Sequence, residues 1–367
     1  MKNKQFLCCQ QAPHFKKIKN GYQCLDCGKI FFRKSLDYGG KNYPFSKWKY
    51  QWKIRGRKAD FIKCRDVFIF STLETGKINL IYYDRENRII EQMQIKVKKT
   101  VMMHKLNFNN TFLTITENGV INVYNIKTGE MKAQLKSEEQ YYKHKIKIFP
   151  LGKRGKWLYI DTQKIINFSK DFNHKQQVVY FQKILDNEIL AINSVDCNEK
   201  YDYFLIHVCY LSKEIDNDKH IQQATIVLKC ECNDFDIKIL HYGVENELTY
   251  NFKSNTYYGV KHNEVIKMDS KGNSEKICES PVVRSYSDGG KIFWLEEFTR
   301  FPEKLYFLQD NVIALRYSWE IVILDVQKQK IIAAIEENLI QSFFVMAEDT
   351  ICFSAGLNTY IVQLDLQ

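Results

Sequence analysis

The stretch Phe112–Leu135, FLTITENGVINVYNIKTGEMKAQL, decides the fold class of this chain of 367 residues. Apolar and polar residues alternate over Phe112–Thr116 and again over Val120–Tyr124, which is the pattern of β-strands. Asn118-Gly119 is a preferred dipeptide for a tight hairpin, and Lys127-Thr128-Gly129 indicates a second turn. The stretch therefore predicts three antiparallel strands joined by two turns.

The same pattern recurs in seven segments between residue 60 and the end of the chain. Each passes through a short apolar strand and stops at a polar turn, usually on Asp or Asn; the segments are Ile78–Asp84, Val120–Asn125, Ile165–Ser169, Ile226–Cys232, Val265–Asp269, Ile321–Asp325 and Tyr360–Asp365. Most end about 40 residues after the segment before, which indicates a repeat architecture. Two intervals are longer and predict insertions, at 212–220 and 285–301.

The last segment leaves no room for a fourth strand before residue 367. We therefore expect the outer strand of the last unit to come from the start of the domain, at Lys47–Arg55 or Phe61–Arg65, which would cover an open sheet edge. The repeats resemble WD-repeat-like β-propellers, although the Gly-His and Trp-Asp signatures of that family are missing. The resemblance implies an all-β fold with a β-propeller of seven blades over residues 61–367, whose loops dock protein partners.

Positive charge is concentrated at the N-terminus. Residues 1–60 contain 15 Lys and Arg but only three acidic residues, a net charge of +12, while the whole chain carries +11. The rest of the chain is therefore close to neutral. This division predicts an N-terminal module that meets an anionic partner.

Cys24-Leu25-Asp26-Cys27-Gly28 has the spacing of a zinc knuckle, since two thiolates two residues apart can reach one metal ion. Cys8, Cys9 and His14 lie upstream, and Asn20-Gly21 predicts a hairpin that brings the two regions together. This order resembles the zinc-ribbon family. The resemblance implies a small module at residues 1–40 that binds zinc through Cys9, His14, Cys24 and Cys27, with Cys8 as an alternative ligand.

Basic residues alternate with aromatic ones in a connector at residues 41–60. Cations that neutralise phosphates beside rings that stack on bases are typical of single-stranded DNA or RNA binding. A half-buried strand whose aromatic face packs onto the large domain has the same pattern, and both interpretations stay open. The predicted nucleic-acid-binding residues are Lys16, Lys17, Lys19, Arg33, Lys34, Lys47, Trp48, Lys49, Trp52, Lys53, Arg55, Arg57 and Lys58.

The chain contains no G-x-S-x-G, H-E-x-x-H or P-loop motif, so we expect a non-enzymatic binding protein. The alternative is a propeller-type hydrolase or lyase with a purely structural zinc site. Its candidate catalytic residues would be Asp161, Asp196, His207, Glu296 and Glu297. Histidines other than His14 are interpreted as surface residues or satisfied core residues.

The seven cysteines beyond residue 60 are irregularly spaced and are interpreted as buried free thiols, Cys230 and Cys232 included. The sequence has no apolar run long enough to span a bilayer, and its first residues lack the apolar region of a signal peptide. We therefore expect a cytoplasmic protein. Arg300-Phe301-Pro302 near Trp294 could form either a protein-docking loop or a plug between repeats.

Overall fold

The computed structural model describes residues 15–45, 50–64, 67–84, 89–136, 146–152, 154–169, 175–185, 187–198, 200–213, 219–231, 234–242, 248–251, 254, 256–269, 273–287 and 296–366. Apart from a single 3₁₀ turn at Phe181–Lys183, the regular structure in these ranges is β-strand. This confirms the predicted all-β class. The described part of the chain holds no helix with the length and apolarity that a membrane crossing requires.

The described chain begins with a ribbon sheet of three short strands: β1 Phe15–Ile18, β2 Gly21–Cys24 and β3 Ile30–Phe32, hydrogen-bonded in the order β1-β2-β3. Three more short strands follow: β4 Lys34–Tyr38, β5 Lys41–Tyr43 and β6 Trp52–Arg55. Gly39 and Gly40, which join β4 to β5, have φ angles of 56° and 72°. These positive angles suit a tight hairpin turn and favour glycine at both positions.

Six sheets each consist of four strands that are consecutive in the chain. Sheet A contains β7 Arg57–Cys64, β8 Val67–Glu74, β9 Lys77–Asp84 and β10 Ile89–Lys96; sheet B contains β11 Val101–Asn107, β12 Thr111–Thr116, β13 Val120–Asn125 and β14 Met131–Lys136. Sheet C contains β15 Lys147–Leu151, β16 Lys156–Ile160, β17 Lys164–Phe168 and β18 Lys175–Tyr180; sheet D contains β19 Ile189–Cys197, β20 Tyr203–Lys213, β21 Lys219–Glu231 and β22 Asp234–Tyr242. Sheet E contains β23 Thr249–Asn251, β24 Thr256–Lys261, β25 Glu264–Met268 and β26 Ser274–Glu279. After β27 Val282–Ser287 and β28 Glu296–Arg300, sheet G contains β29 Lys304–Gln309, β30 Val312–Arg316, β31 Glu320–Asp325 and β32 Lys330–Glu336.

Two further four-stranded sheets take strands from the N-terminal region. Sheet F has the order β28-β27-β4-β5, and sheet H combines β33 Ile340–Ala347, β34 Thr350–Ala355 and β35 Asn358–Gln363 with β6. In sheet H, β6 pairs antiparallel with β35, with Ile54 opposite Thr359. This confirms that the start of the domain supplies the fourth strand. The donor comes from the first of the two predicted segments, because residues 61–64 belong to sheet A.

All seven predicted repeat segments lie on the third strand of a sheet, namely β9, β13, β17, β21, β25, β31 and β35. In three of these segments the polar residue at the end of the strand, Asn125, Asp269 or Asp325, caps the turn that follows, as Asp and Asn side chains commonly do. Asn125 Oδ1 accepts the Lys127 N–H at 2.8 Å, and Asp325 Oδ1 accepts the Lys328 N–H at 2.8 Å. Sheet F lacks this signal because its third strand is β4, which ends in the Gly39-Gly40 turn.

The two longer intervals between repeats have different structural causes. In sheet D, strands β20 and β21 are 11 and 13 residues long and pair as far as Lys213 and Lys219. Residues 214–218 of the predicted insertion lie outside the described ranges. The interval at 285–301 is not an insertion, since it carries parts of β27 and β28 of sheet F.

The chain divides into two compact units. The first comprises Met1–Trp48, Gly259–Lys267 and Glu275–Glu337, and it contains the ribbon sheet and sheets F and G. The second comprises Lys49–Tyr258, Met268–Ser274 and Asn338–Gln367, and it contains sheets A to D and sheet H.

Within the second unit, sheets H, A, B, C and D pack successively on one another. Each neighbouring pair shares a hydrophobic core; examples are Met346 with Phe70 for H and A, Leu80 with Phe112 for A and B, Leu113 with Trp157 for B and C, and Leu158 with Ile206 for C and D. Consecutive residues of β12 therefore enter different cores, because successive side chains of a strand point to opposite faces. Strand β12 of sheet B is buried on both faces.

Candidate metal centre and nucleic-acid interface

The ribbon sheet begins with a tight β1–β2 hairpin. Ile18 pairs with Gly21, so the turn residues are Lys19 and Asn20. A Cβ atom on Gly21 would lie 2.1 Å from the Phe31 carbonyl oxygen, which explains why glycine is needed there. The Arg33 N–H donates to the Asn20 carbonyl at 2.8 Å and ties the end of β3 to this turn.

The Cys24–Gly28 segment forms a tight loop between β2 and β3. The Gly28 N–H donates to the Cys24 carbonyl at 2.9 Å, and the Cys24 N–H donates to the Lys29 carbonyl at 2.9 Å. Gly28 has a φ of 75°, a conformation that favours glycine. Cys24 is fully buried at the base of the loop, and Cys27 is exposed. Two sulfur atoms separated by two residues are thus held on one short turn.

The remaining predicted zinc ligands, Cys8, Cys9 and His14, lie outside the described residues. Phe15 pairs with Cys24 across β1 and β2, so the chain enters the ribbon sheet beside the cysteine loop. The described side chains of His, Cys, Asp and Glu form no group of three or more that could hold a metal ion. A tetrahedral zinc site needs four ligands, and the described part of the chain supplies two candidates, Cys24 and Cys27.

Three other cysteines, Cys230, Cys278 and Cys352, are unsuited to metal binding or nucleophilic chemistry because the pKa of each thiol is raised. Burial raises the pKa of the Cys230 thiol to about 12 and that of the Cys278 thiol to about 11, and it raises the pKa of the fully buried Cys352 as well. Such thiols remain protonated near neutral pH and are therefore inert. Cys278 and Cys352 are buried free thiols, as predicted, whereas the free thiols Cys197, Cys209 and Cys230 are only half-buried. The side chains of Cys64 and Cys232 lie outside the described set.

The ribbon sheet has two contrasting faces. Phe15, Tyr22, Cys24 and Phe31 form a small buried core against Tyr286 of sheet F, and the rings of Phe31 and Tyr286 meet edge to face at 5.4 Å. The adjacent Phe32 points to the other face and is exposed. Lys16, Lys17, Lys19 and Arg33 of the predicted nucleic-acid set are all exposed on this small sheet or its turns.

Lys34 holds sheets F and G together within the first unit. Its Nζ lies 2.5 Å from the Glu320 carboxylate and 2.6 Å from that of Glu336. Glu320 has no exposed surface and also pairs with Arg300 at 2.8 Å. Removing one member would leave a buried charge uncompensated, so Lys34 stabilises the fold here. No sequence signal marks this cluster, because its members are distant in the chain.

Four of the predicted interface residues in the second unit, Trp52, Lys53, Arg55 and Lys58, contact neighbouring groups of the protein. Trp52 is half-buried in the core shared by sheets H and A, and Lys53 Nζ lies 5.7 Å from the centre of the Tyr360 ring. Arg55 pairs with Glu74 at 2.9 Å, and the Lys58 ammonium donates to the Met102 carbonyl at 2.5 Å. Arg57 is exposed. Lys47, Trp48 and Lys49 lie outside the described residues.

The candidate catalytic residues whose side chains are described, Asp161, Asp196 and His207, contact groups within their own sheets. Asp161 Oδ1 accepts the backbone N–H groups of Gln163 and Lys164, both at 2.8 Å, and so caps the turn before β17. In sheet D, buried His207 contacts Thr225 Oγ1 through Nδ1 at 3.0 Å, and its Nε2 lies 3.7 Å from Asp196. The side chains of Glu296 and Glu297 lie outside the described set.

A second buried polar cluster, between sheets A and B, was not predicted from sequence. Asp60 Oδ1 pairs with Lys105 Nζ at 2.7 Å, and its Oδ2 accepts the Leu106 N–H at 2.7 Å. His104 Nε2 contacts Ser71 Oγ at 2.8 Å. Burial lowers the pKa of His104 to about 4, so this histidine is a neutral core residue, as its sequence interpretation predicts.

No protein-family model matches the chain, and no curated protein matches its sequence significantly.

Proposed function

We propose that this protein is a non-enzymatic binding protein whose N-terminal ribbon contacts nucleic acid. The observation that carries the proposal is the distribution of cations. Lys16, Lys19 and Arg33 are exposed on the ribbon sheet or its turns, whereas Lys34 pairs with the buried Glu320 and with Glu336. Exposed cations are available to neutralise phosphates.

The larger part of the chain would be a β-propeller that docks protein partners. Eight four-stranded sheets support this proposal, and five of them pack successively face to face. Counting sheets in this way gives eight blades rather than seven, since sheet F adds a blade that has no repeat signal. The N-terminal strands in sheets F and H would tie the chain's beginning into the ring.

Zinc would stabilise the ribbon. The proposed ligands are Cys9, His14, Cys24 and Cys27, with Cys8 as the alternative to Cys9. Support comes from the cysteine loop and from the register that brings Phe15 beside Cys24. We expect purified full-length protein to contain stoichiometric zinc and a Cys24→Ser, Cys27→Ser variant to lose it. Zinc retained by the double variant, or zinc missing from the wild type, would refute the site.

Nucleic-acid binding is tested with the full chain and a fluorescent 20-nucleotide single strand, as DNA and as RNA. Affinity should fall steeply between about 50 and 200 mM salt, because phosphate contacts release counterions. A Lys16→Glu, Lys19→Glu, Arg33→Glu variant should bind at least about tenfold more weakly, with a shallower salt dependence.

The matched control reverses three exposed lysines of sheet B, Lys127, Lys132 and Lys136. It makes the same change in net charge on a different sheet and should bind as the wild type does. Salt-independent binding, undetectable binding or an equal loss in the control would overturn the proposal.

A further inference from the structure

We propose that the outer face of the ribbon sheet is a stacking platform for unpaired bases, with Phe32 as the stacking ring. This inference rests on the proposed function and adds the residue on which an unpaired base stacks. Phe32 and Ile30, two residues apart on β3, are not among the predicted nucleic-acid-binding residues.

The strand register defines this outer face. Lys16, Gln23 and Ile30 lie opposite one another in one cross-strand row, and Ile18, Gly21 and Phe32 lie in the next row. Directly opposed residues share a face of the sheet, as do residues two apart along a strand. The two rows therefore form one surface, about 7 Å apart along the strands.

The other face of the sheet is already occupied. Phe31 packs with Phe15, Tyr22 and Tyr286 in the small core, so its ring is not available to a ligand. Phe32 retains 44% of its surface and Ile30 retains 46%, and Leu25 in the cysteine loop retains 60%. Three large apolar side chains thus remain in contact with solvent on a sheet of eleven strand residues.

The charged residues around this face indicate which kind of partner binds it. Residues 15–33 contain the cations Lys16, Lys17, Lys19, Lys29 and Arg33 and the single carboxylate Asp26, which favours an anionic partner. Lys16 lies within the face, Lys19 lies in the turn beside it, and Arg33 directly follows Phe32. An aromatic ring bordered by cations binds single strands, because every unpaired base exposes a surface on which the ring can stack. Bases inside a duplex are already stacked on each other, so duplex should bind more weakly.

The test compares Phe32→Ala, Phe32→Trp and the wild type, each as full-length protein, on a 20-nucleotide single strand and its duplex. Phe32→Ala should weaken single-strand binding at least about fivefold, the lower end for loss of one stacked base. Its salt dependence should stay unchanged, since no phosphate contact is lost. Phe32→Trp should restore binding, and the wild type should prefer the single strand.

The outcomes separate this inference from the proposed function. If Lys16→Glu, Lys19→Glu, Arg33→Glu weakens binding but Phe32→Ala does not, the ribbon contacts phosphates and the platform is wrong. Equal affinity for duplex and single strand would also overturn it. If the wild type binds neither form, both proposals fail.

Discussion

The ribbon sheet and sheet B are both built from short antiparallel strands, but they differ in the core that each can bury. The ribbon core contains Phe15, Tyr22, Cys24 and Phe31 with support from Tyr286. Sheet B lies between sheets A and C, and every residue of its central strand β12 is buried. Packing alone can therefore stabilise sheet B, whereas the ribbon needs a further source of stability.

The largest expected effect is the loss of ribbon structure on removal of the proposed zinc. Chelation, or Cys24→Ser, should abolish amide exchange protection over residues 15–32 while sheets A to D keep theirs. A structural zinc contributes roughly 10–16 kcal/mol, far more than the roughly 1.5–3 kcal/mol from each buried ribbon side chain. Hydrogen exchange with mass spectrometry measures both regions in one sample.

Cys209→Ser is the matched control for that experiment. Cys209 contacts the Asn193 side chain at 3.2 Å, and a serine hydroxyl can make the same contact. The control should leave the ribbon protected. If ribbon protection survives both chelation and Cys24→Ser, packing alone stabilises the ribbon and the comparison is wrong.

The next largest effect is expected from Phe112→Ala. Phe112 is fully buried in the core between sheets A and B, and its ring stacks on that of Tyr124 at 4.9 Å. Truncation removes buried apolar surface and leaves a cavity, which should cost about 3–5 kcal/mol in the free energy of unfolding. Phe32→Ala, which deletes the same side chain from an exposed position, should cost less than about 0.5 kcal/mol. Urea unfolding of both variants checks the difference, and equal costs would contradict it.

Acid should destabilise the packing of sheets A and B through His104. The folded state lowers the pKa of His104 to about 4, mainly by burial, with Lys105 and Lys58 acting in the same direction and Asp60 opposing them. The unfolded chain has an ordinary histidine pKa near 6.5, so it binds the proton first. Stability is therefore complete above about pH 6.5 and is lost as the pH falls toward 4, by up to about 3 kcal/mol.

This pH dependence is measured on the amides of sheets A and B, which separates it from acid release of the zinc proposed for the ribbon. His104→Gln cannot take up a proton but can still contact Ser71. It should flatten the dependence between pH 6.5 and 4. An unchanged slope in this variant would show that other groups cause the acid sensitivity.

Local chemistry explains why much of the β-structure could be predicted. Asn125 and Asp325 end third strands and cap the next turn through bonds that span two or three residues. The alternation of apolar and polar residues located the strands correctly. It did not show which side chains are exposed, because Thr114 and Thr116 are as buried as their apolar neighbours. Threonine suits a strand between two sheets because its branched side chain packs well there.

Strand pairs between distant parts of the chain could not be predicted from the sequence. Sheet F joins β4 to β27, strands separated by more than 240 residues, and no local pattern signals such a pair. The exposed and buried residues of the candidate site could not be told apart from the sequence for the same reason. Phe31 and Phe32 are indistinguishable in sequence, and only the register places one in the core and the other on the surface.

The smallest predicted effect concerns Arg55, whose side chain is 78% exposed and lies 2.9 Å from Glu74. An exposed ion pair in water should show a coupling of only about 0.2–1 kcal/mol in a double-mutant cycle with Arg55→Ala and Glu74→Ala. If the ribbon alone supplies the cations that meet nucleic acid, Arg55→Ala should change affinity less than Arg33→Ala does. Anisotropy titrations of the two variants measure this difference in affinity. An equal loss would show that the interface extends to β6 of sheet H.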